Sequence, residues 1–290
     1  MKPDEVVIIG AGPAGMTAAI QLKRYGIPFV LLEKERVGGL LWNANLVENY
    51  PGFPAGISGP KLVGLIEKQM ERIGVDVTFD SVLRLGNGEK GFCVKTLRTN
   101  YEARFVIVAS GTKSNSFPLL IPDIARGLVF SDVYHLLNES KKRIVIIGAG
   151  DAAFDYALNL VKKGNFVTIL NRGGDVKCLR LLWERVMAEP NIAYRAEIPI
   201  SKVDFDAAAG RLKIQTEAGE SLETDYLLFA IGRVPQTDFL PDKLTGKKVK
   251  GLYFVGDVKN GLFRQAAIAA GDGLRAAMEI YTNLNLEAQL

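Results

Sequence analysis

The chain contains two stretches in which hydrophobic, glycine and polar positions follow the same order. Each stretch starts with four or more consecutive apolar residues, which end at 9 and at 147. Glycines at Gly-x-Gly spacing come next, and apolar positions then recur at the 3.6-residue period of a helix. An apolar run followed by a glycine turn and a helix is typical of a buried strand in a parallel sheet. The pattern therefore predicts two α/β units in one chain.

Each unit closes with a second apolar strand that ends in a polar residue. This residue is Glu33 in the first unit and Asn171 in the second. Its distance along the chain from the first glycine, Gly10 or Gly148, is the same in both copies. In dinucleotide-binding folds, the residue at this position contacts a ribose. The two copies thus differ at the position that selects the ribose.

The three glycine positions of such a turn have separate tasks. The first makes a tight turn, the second lets the backbone approach a pyrophosphate, and the third lets the helix pack closely on the strand. The first copy has Gly10, Gly12 and Gly15, and Ala153 takes the third position of the second copy, which the pattern allows. The phosphates would lie on free N–H groups at the start of the helix. Two dinucleotides in one chain predict an electron-transfer enzyme, in which one cofactor passes a hydride to the other.

The order of the remaining elements predicts that one domain interrupts the other. The chain is expected to cross between domains at 112–122 and at 236–246. This gives a discontinuous first domain at 1–114 and 244–290 and an inserted second domain at 115–243. The other predicted elements are a helix at 57–73, a strand at 75–79, strands at 92–96 and 101–104 around a turn at 86–88, buried strands at 105–109, 226–231 and 252–255, and an antiparallel pair at 198–203 and 211–216.

Length and charge exclude several classes of protein. A chain of 290 residues exceeds the usual size of a single core and suggests about two domains. The net charge is +4 and the basic residues are scattered, so nucleic acid is not an expected partner. No apolar stretch reaches the length of a membrane span, so we expect no membrane association and a cytoplasmic location.

Cysteine and histidine are too rare for several kinds of chemistry. Only Cys93 and Cys178 occur, without Cys-x-x-Cys or zinc spacing, and a disulfide between them stays open at this point. Both adjoin apolar residues and are interpreted as inert thiols. The single histidine, His135, lies in an apolar stretch and is interpreted as structural. We therefore expect neither a catalytic triad nor a metal site.

Five stretches carry a resemblance to a known family. They are the Gly10 turn with Glu33, residues 38–40 with 47–52, residues 109–111, the Gly148 turn, and residues 255–257 with 264–266. With them the chain resembles the thioredoxin-reductase-like branch of the two-dinucleotide flavoprotein reductases over nearly its whole length. The resemblance implies an α/β fold of two Rossmann-like, three-layer ββα domains. It also implies FAD in the first domain and a nicotinamide dinucleotide in the inserted one.

The resemblance implies an FAD site in the first domain. Glu33 would bind the adenosine ribose, Asp257 a ribityl hydroxyl or phosphate-side group, and the helix that begins near Gln265 would direct its positive end to the flavin. The family often has Gln at the position of Leu40, so one flavin contact would be missing. The predicted FAD-binding residues are Gly10, Gly12, Pro13, Ala14, Gly15, Glu33, Lys34, Gly38, Gly39, Leu40, Asn49, Val82, Ala109, Ser110, Gly111, Gly256, Asp257, Arg264, Gln265 and Ala266.

The loop after the second unit's closing strand indicates which nicotinamide cofactor binds. An acid at position 171 would bind the 2′-hydroxyl of NAD and repel a 2′-phosphate, and Asn171 does neither. Arg172 and Lys177 match two of the three cations that NADPH-dependent members place here, whereas Gly173 replaces the third. The sequence favours NADPH over NADH, with a merely solvated basic loop as the alternative. The predicted NADP-binding residues are Gly148, Gly150, Asp151, Ala152, Asn171, Arg172, Lys177, Ile231, Gly232 and Arg233.

One departure from the family pattern bears on the reaction. Thioredoxin reductases carry Cys-x-x-Cys just before the second glycine turn, where this chain has a cysteine-free stretch at 127–134. An internal dithiol relay is therefore excluded, and the stretch from Gly148 is closer to the ferredoxin (flavodoxin)–NADP reductases of this fold. The resemblance implies an enzyme in which NADPH gives a hydride to FAD and the electrons pass to ferredoxin or flavodoxin. No protein side chain is then expected to act as a catalytic group.

Two alternatives stay open. The first is an NAD(P)H reductase for a quinone or a small disulfide. The second is a relative of thioredoxin reductase that binds FAD and a nucleotide without catalysis. In each case we expect a homodimer.

Overall fold

The computed structural model describes residues 5–89, 91–117, 119–241, 244 and 249–287. The chain divides into two compact units. Unit 1 comprises Met1–Trp42, Val47–Lys113 and Val234–Leu290, and unit 2 comprises Asn43–Leu46 and Ser114–Arg233. No helix among the described residues is long and apolar enough to cross a membrane.

Strand–helix–strand segments alternate along the chain with runs of consecutive strands. The strands are β1 Val6–Ile9, β2 Phe29–Glu33, β3 Thr78–Phe79, β4 Val82–Gly88, β5 Gly91–Thr96, β6 Asn100–Ala103, β7 Phe105–Val108, β8 Thr112–Ser114, β9 Val129–Phe130, β10 Arg143–Ile147, β11 Phe166–Leu170, β12 Ile192–Arg195, β13 Ile200–Asp206, β14 Arg211–Thr216, β15 Ser221–Thr224, β16 Tyr226–Phe229, β17 Arg233–Pro235 and β18 Leu252–Phe254. The α-helices are α1 Pro13–Arg24, α2 Gly59–Arg72, α3 Asp151–Val161, α4 Arg180–Met187 and α5 Ala266–Glu287. Short 3₁₀ helices lie at Gly39–Asn43, Asp123–Leu128, Val133–Leu136 and Gly256–Val258.

Unit 1 is built on a parallel sheet in the order β18-β7-β1-β2-β3. The central strand β1 is buried on both faces because successive side chains point to opposite sides. Val6 and Ile8 pack in a core with α1 and α5, whereas Val7 and Ile9 pack in a second core with the antiparallel sheet β4-β5-β6. The result is a helix layer, a parallel sheet and an antiparallel sheet.

Unit 2 repeats this arrangement around β10. Its parallel sheet has the order β12-β11-β10-β16-β9. Ile144 and Ile146 face the core that contains α3, whereas Val145 and Ile147 face the antiparallel sheet β13-β14-β15. The same alternation of buried side chains therefore builds the same three layers twice.

Several predicted elements differ from those observed in their bounds or in kind. The predicted turn at 86–88 lies in β4, because Gly88 pairs with Gly91 across a hairpin that closes later in the chain. The helix predicted at 57–73 begins at Gly59, because the Ile57 backbone is paired with that of Val47. The strands that were not predicted are β4, β8, β9, β12, β15 and β17.

The return of the chain to unit 1 also differs from the predicted position. The chain returns to unit 1 between Arg233 and Val234, whereas the predicted domain boundary is at 243/244. The apolar side chains of Phe239, Leu240 and Leu244 pack in the core of unit 1, which explains the earlier return. Residue 243 itself lies outside the described residues.

Candidate dinucleotide-binding sites

The glycine turn of unit 1 leaves no room for side chains at two of its three positions. Gly10 has a φ of +103°, and a Cβ there would lie 2.5 Å from the carbonyl oxygen of Ala109. A Cβ on Gly15 would lie 1.8 Å from the carbonyl oxygen of Gly10. Both contacts are with backbone, which cannot give way. The turn and the packing of α1 on the sheet therefore both require glycine.

Gly12 differs because the space beside it is open. A Cβ on Gly12 would meet no protein atom within 4 Å, and the residue has an ordinary φ of −73°. It is the N-cap of α1, so the free N–H groups and the positive end of the helix dipole face this space. Such a site fits the pyrophosphate of a dinucleotide.

Glu33 is fixed beside this turn by two backbone hydrogen bonds. Its Oε2 accepts from the Ala11 N–H at 2.8 Å and its Oε1 accepts from the Glu35 N–H at 3.0 Å. The side chain is only 9% exposed. A carboxylate can accept about four hydrogen bonds, so each oxygen retains capacity for a ribose hydroxyl. The neighbouring Lys34 is exposed.

A second glycine pair lies against the open position. Gly38 has a φ of +94° and donates its N–H to the carbonyl oxygen of Ala11 at 2.7 Å. A Cβ on Gly39 would lie 3.4 Å from the Cα of Gly12. The structure thus brings together the backbone of two loops that are separate in sequence. Leu40 follows within the same 3₁₀ turn and is half-buried.

Other predicted residues of the FAD site lie at the start of α5 and at the ends of strands. The Asn49 amide donates to Gln265 Oε1 at 2.9 Å, next to Ala266, the first residue of α5. Ser110 Oγ donates to the Gln236 carbonyl oxygen at 2.7 Å. The remaining predicted residues are placed as follows: Pro13 and Ala14 in the first turn of α1, Val82 at the start of β4, Ala109 and Gly111 after β7, Gly256 and Asp257 in the 3₁₀ turn after β18, and Arg264 just before α5.

Asp272 is a residue of this region that the sequence analysis missed. Its carboxylate accepts hydrogen bonds from the Gly256 N–H at 3.0 Å and from the Asn260 amide at 2.8 Å, and it pairs with Lys259 at 3.1 Å. Burial alone would raise the pKa of Asp272, but these hydrogen bonds lower it. Asp272 therefore holds the predicted FAD-binding loop onto α5. One signal was available, because Asp272 is the only charged residue in the small-residue run at 266–273.

The glycine turn of unit 2 has the same geometry. Gly148 has a φ of +143°, and a Cβ there would lie 2.3 Å from the carbonyl oxygen of Ala230. Gly150 has open space, with only the carbonyl oxygen of Lys177 at 3.8 Å from its Cβ position. Ala153 is fully buried where α3 packs on the sheet. This turn also fits a pyrophosphate at the start of a helix.

The basic loop after β11 folds back beside this turn. Lys177 donates its N–H to the carbonyl oxygen of Ala149 at 2.8 Å and forms an isolated bridge with Gly150. The side chains of Arg172 and Lys177 are exposed, and neither forms an ion pair within the part of the chain that the structure describes. Arg180 is instead paired with Glu184 at 2.6 Å. Among the described residues, these two cations beside the open glycine position thus have no ion-pair partner.

Other predicted NADP-binding residues already have protein partners. Asp151 Oδ1 accepts from the Leu179 N–H at 2.7 Å, and the neighbouring Ala152 is exposed. The Gly232 carbonyl oxygen accepts from the Asn115 N–H, and the Ile231 carbonyl oxygen accepts from the Asn115 amide. Asn171 is buried with its amide turned into the basic loop. The NADP-binding roles of these residues stay predictions.

The place where the resemblance expects a dithiol holds an ion pair. Asp132 accepts from Arg233 Nη1 at 2.9 Å and from the Asn43 amide at 3.0 Å. Arg233 also donates to Ser114 Oγ at 2.9 Å. These hydrogen bonds hold the polar groups in place. Asp132 was not identified from the sequence.

Neither cysteine forms a disulfide. Burial raises the pKa of both the Cys93 and the Cys178 thiol, with a nearby acid as a further cause in each case. A raised pKa reduces the fraction of reactive thiolate. Among the described residues, no group of three or more His, Cys, Asp or Glu side chains is arranged to hold a metal ion.

Asp155 on α3 gives unit 2 a pH-dependent stability. Burial raises the pKa of its carboxyl from 3.8 to about 6, although its Oδ2 accepts from the Asn45 N–H at 2.9 Å and Lys162 lies nearby. The folded state therefore holds this proton more tightly than the unfolded chain. The contribution of Asp155 to stability falls as pH rises from about 4 to about 6 and stays low above that range.

We expect Asp155→Asn to remove this dependence. The unfolding free energy of the variant relative to that of wild type should increase as pH rises from 4.5 to 7.5, by up to about 3 kcal/mol. Thermal unfolding at several pH values measures the difference in unfolding free energy between the two proteins. Groups that titrate equally in both proteins do not contribute to this difference. A difference that does not change with pH would show that Asp155 acts only as a hydrogen-bond acceptor.

The comparisons with known proteins agree on a family. The profile of the family described as pyridine nucleotide-disulphide oxidoreductase matches residues 4–273. A thioredoxin reductase from Streptomyces coelicolor is 32% identical, and the match covers 94% of this chain and 92% of that protein. A match of this extent includes both glycine turns and both predicted sites.

Solved structures of two thioredoxin reductases have the same fold. The protein from Lactococcus lactis, in its FR conformation, has a TM-score of 0.84 at 26% identity, and the match covers 96% of this chain and 98% of that one. The protein from T. acidophilum has a TM-score of 0.82 at 29% identity, with 98% and 99% coverage. The predicted α/β fold with two Rossmann-like dinucleotide-binding domains is confirmed. The chain therefore belongs to the pyridine nucleotide-disulphide oxidoreductase family, as an FAD-dependent NAD(P)H oxidoreductase that uses FAD and NADPH and is similar to thioredoxin reductases.

Proposed function

We propose that this enzyme oxidises NADPH and reduces an external acceptor without an internal dithiol. The observation that carries the proposal is the Asp132–Arg233 ion pair in the stretch where the family resemblance places Cys-x-x-Cys. The chain has only two cysteines, and neither forms a disulfide. When bound, FAD supplies the group that accepts a hydride and releases electrons.

The protein's own residues then bind and orient. The open backbone at Gly12 and Gly39 holds the FAD pyrophosphate, and Glu33 holds the adenosine ribose. Arg172 and Lys177 attract the 2′-phosphate of NADPH, for which their exposed charges, without an ion pair among the described residues, are suited. No acid, base or nucleophile from the chain is required, because positioning and electrostatics are the protein's contribution.

We propose ferredoxin or flavodoxin as the acceptor. These are small acidic redox proteins, and the enzyme carries a net charge of +4. Thioredoxin is the second candidate, and the observation that favours it is the name of relatives that are 29% and 32% identical. Against thioredoxin stands the lack of a Cys-x-x-Cys pair, since no protein thiol is placed to exchange with its disulfide.

Two successive measurements test first the function and then the identity of the acceptor. Anaerobic addition of NADPH to the holoenzyme should bleach the flavin absorbance within seconds, and an unchanged spectrum would refute the enzymatic proposal. Steady-state NADPH oxidation is then compared with ferredoxin, flavodoxin, thioredoxin, a quinone and a small disulfide. We expect the highest kcat/KM with ferredoxin or flavodoxin. If kcat/KM is instead highest with thioredoxin, the acceptor is a protein disulfide. If it is highest with a quinone, the acceptor is a small molecule.

The cytoplasmic location and the homodimer stay proposals. The homodimer is tested by sedimentation of the holoenzyme, which should give twice the 31.6 kDa mass of one chain.

A further inference from the structure

The side chain of Asn171 points into the basic loop that follows it. It is only 8% exposed. Its Nδ2 donates to the Asp175 carbonyl oxygen at 2.9 Å and to the Tyr194 hydroxyl at 3.0 Å. Its Oδ1 accepts from the Gly173 N–H at 3.2 Å. Both hydrogens of the amide are therefore in use, and Asn171 has no side-chain donor left for a nucleotide phosphate.

The backbone around Asn171 is fixed as well. Asn171 donates its N–H to the Arg195 carbonyl oxygen at 2.9 Å and accepts from the Ile198 N–H at 2.9 Å. Gly173 accepts from the Glu197 N–H at 3.0 Å. Position 171 is thus joined to the strand β12 and the turn that follows it. These bonds hold the first half of the basic loop.

Tyr194 connects this arrangement to the core of unit 2. Its ring lies edge-on to Trp183 at a centroid distance of 5.1 Å and is tilted against Phe154 at 5.9 Å. Phe154 is fully buried in α3, the helix that begins at the open glycine position. The hydroxyl that Asn171 binds is therefore carried by a ring with little freedom to move.

The other end of the basic loop is held at the glycine turn, where Lys177 bridges Gly150. Arg172 adjoins the fixed end at Asn171. We propose that Asn171 is a positioning residue for NADPH selectivity: it acts through Arg172, by closing the loop so that the cations at 172 and 177 are held beside the nucleotide. This inference rests on the proposed role of Arg172 and Lys177 in binding the 2′-phosphate. Asn171 acts on the phosphate by shaping the loop and donates no side-chain hydrogen bond of its own to it.

Tyr194→Phe is a sharp test because it removes one hydroxyl and keeps the ring. Asn171→Ala removes all three side-chain bonds. Calorimetric titration of each FAD-loaded variant with NADP⁺ and with NAD⁺ gives the two dissociation constants. We expect NADP⁺ binding to weaken about threefold in Tyr194→Phe and about tenfold in Asn171→Ala. In Tyr194→Phe, the affinity for NAD⁺, the kcat with saturating NADPH and the melting temperature should stay near wild type, whereas Asn171→Ala should lower the melting temperature because it leaves the Gly173 N–H and the Asp175 carbonyl oxygen without their side-chain partner.

A double-mutant cycle separates positioning from a general structural role. In a background of Arg172→Ala and Lys177→Ala, Asn171→Ala should weaken NADP⁺ binding little further. The same loss in both backgrounds, or an equal loss of NAD⁺ binding, would overturn the inference. Failure of the underlying assignment has a different signature, because wild-type protein would then bind NADP⁺ no better than NAD⁺.

Discussion

Gly12→Val should yield a folded protein that contains almost no FAD. The position has an ordinary backbone conformation, and a Cβ there meets no protein atom within 4 Å. The fold therefore tolerates the side chain, whereas the space proposed for the FAD pyrophosphate does not. We expect FAD binding to weaken at least about a hundredfold, because the added atoms exclude the phosphates from the helix N–H groups. The ratio of flavin to protein absorbance after purification measures the effect.

Two matched variants complete this experiment. Gly64→Ala adds a methyl group at another open position, inside α2, and should leave the FAD content unchanged. Gly150→Val makes the equivalent change in unit 2, and should keep FAD but lose NADPH binding. A Gly12→Val protein that retains FAD would contradict the proposed pyrophosphate site. Loss of helical circular dichroism in Gly12→Val, if seen, would show instead that the open space is needed for folding.

The glycine turns could be predicted because everything that defines them is local. A tight turn and a helix start depend on residues within a few positions, so Gly10, Gly12 and Gly15 could be given distinct tasks from spacing alone. The structure adds the partners, such as the Ala109 carbonyl oxygen that excludes a side chain at Gly10. The turn expected at 86–88 was wrong for a related reason. Glycine and asparagine are turn formers, but the pairing of Gly88 with Gly91 is set by the strand register, which a local pattern does not contain.

The residues that the sequence did not reveal act across long distances in the chain. Asp272 holds Gly256 and Asn260, and Tyr194 holds Asn171, through pairs that form only in the folded sheet and helix layers. Neither a carboxylate on a helix nor a tyrosine in a strand belongs to a local sequence pattern that predicts such partners. Asn171 shows most clearly what a sequence pattern predicts and what it does not. Its position was identified from spacing, but the direction of its amide depends on Tyr194, which lies in the next strand of the sheet.

Arg172→Ala with Lys177→Ala should convert the enzyme from a preference for NADPH to near indifference between the two coenzymes. We expect the KM for NADPH to rise about tenfold or more, while the KM for NADH changes less than about twofold. The 2′-phosphate is the only group that distinguishes the two coenzymes, and these exposed cations lie on the loop that borders the open position at Gly150. Because exposed charges are screened by salt, the wild-type KM for NADPH should also rise with ionic strength, and that of the double variant should rise less. Initial rates with both coenzymes at low and high salt provide the measurement, with Arg180→Ala as a control whose charge is already paired with Glu184. An equal rise in KM for NADH and NADPH would assign the loop to the shared part of the coenzyme and remove it from the basis of selectivity.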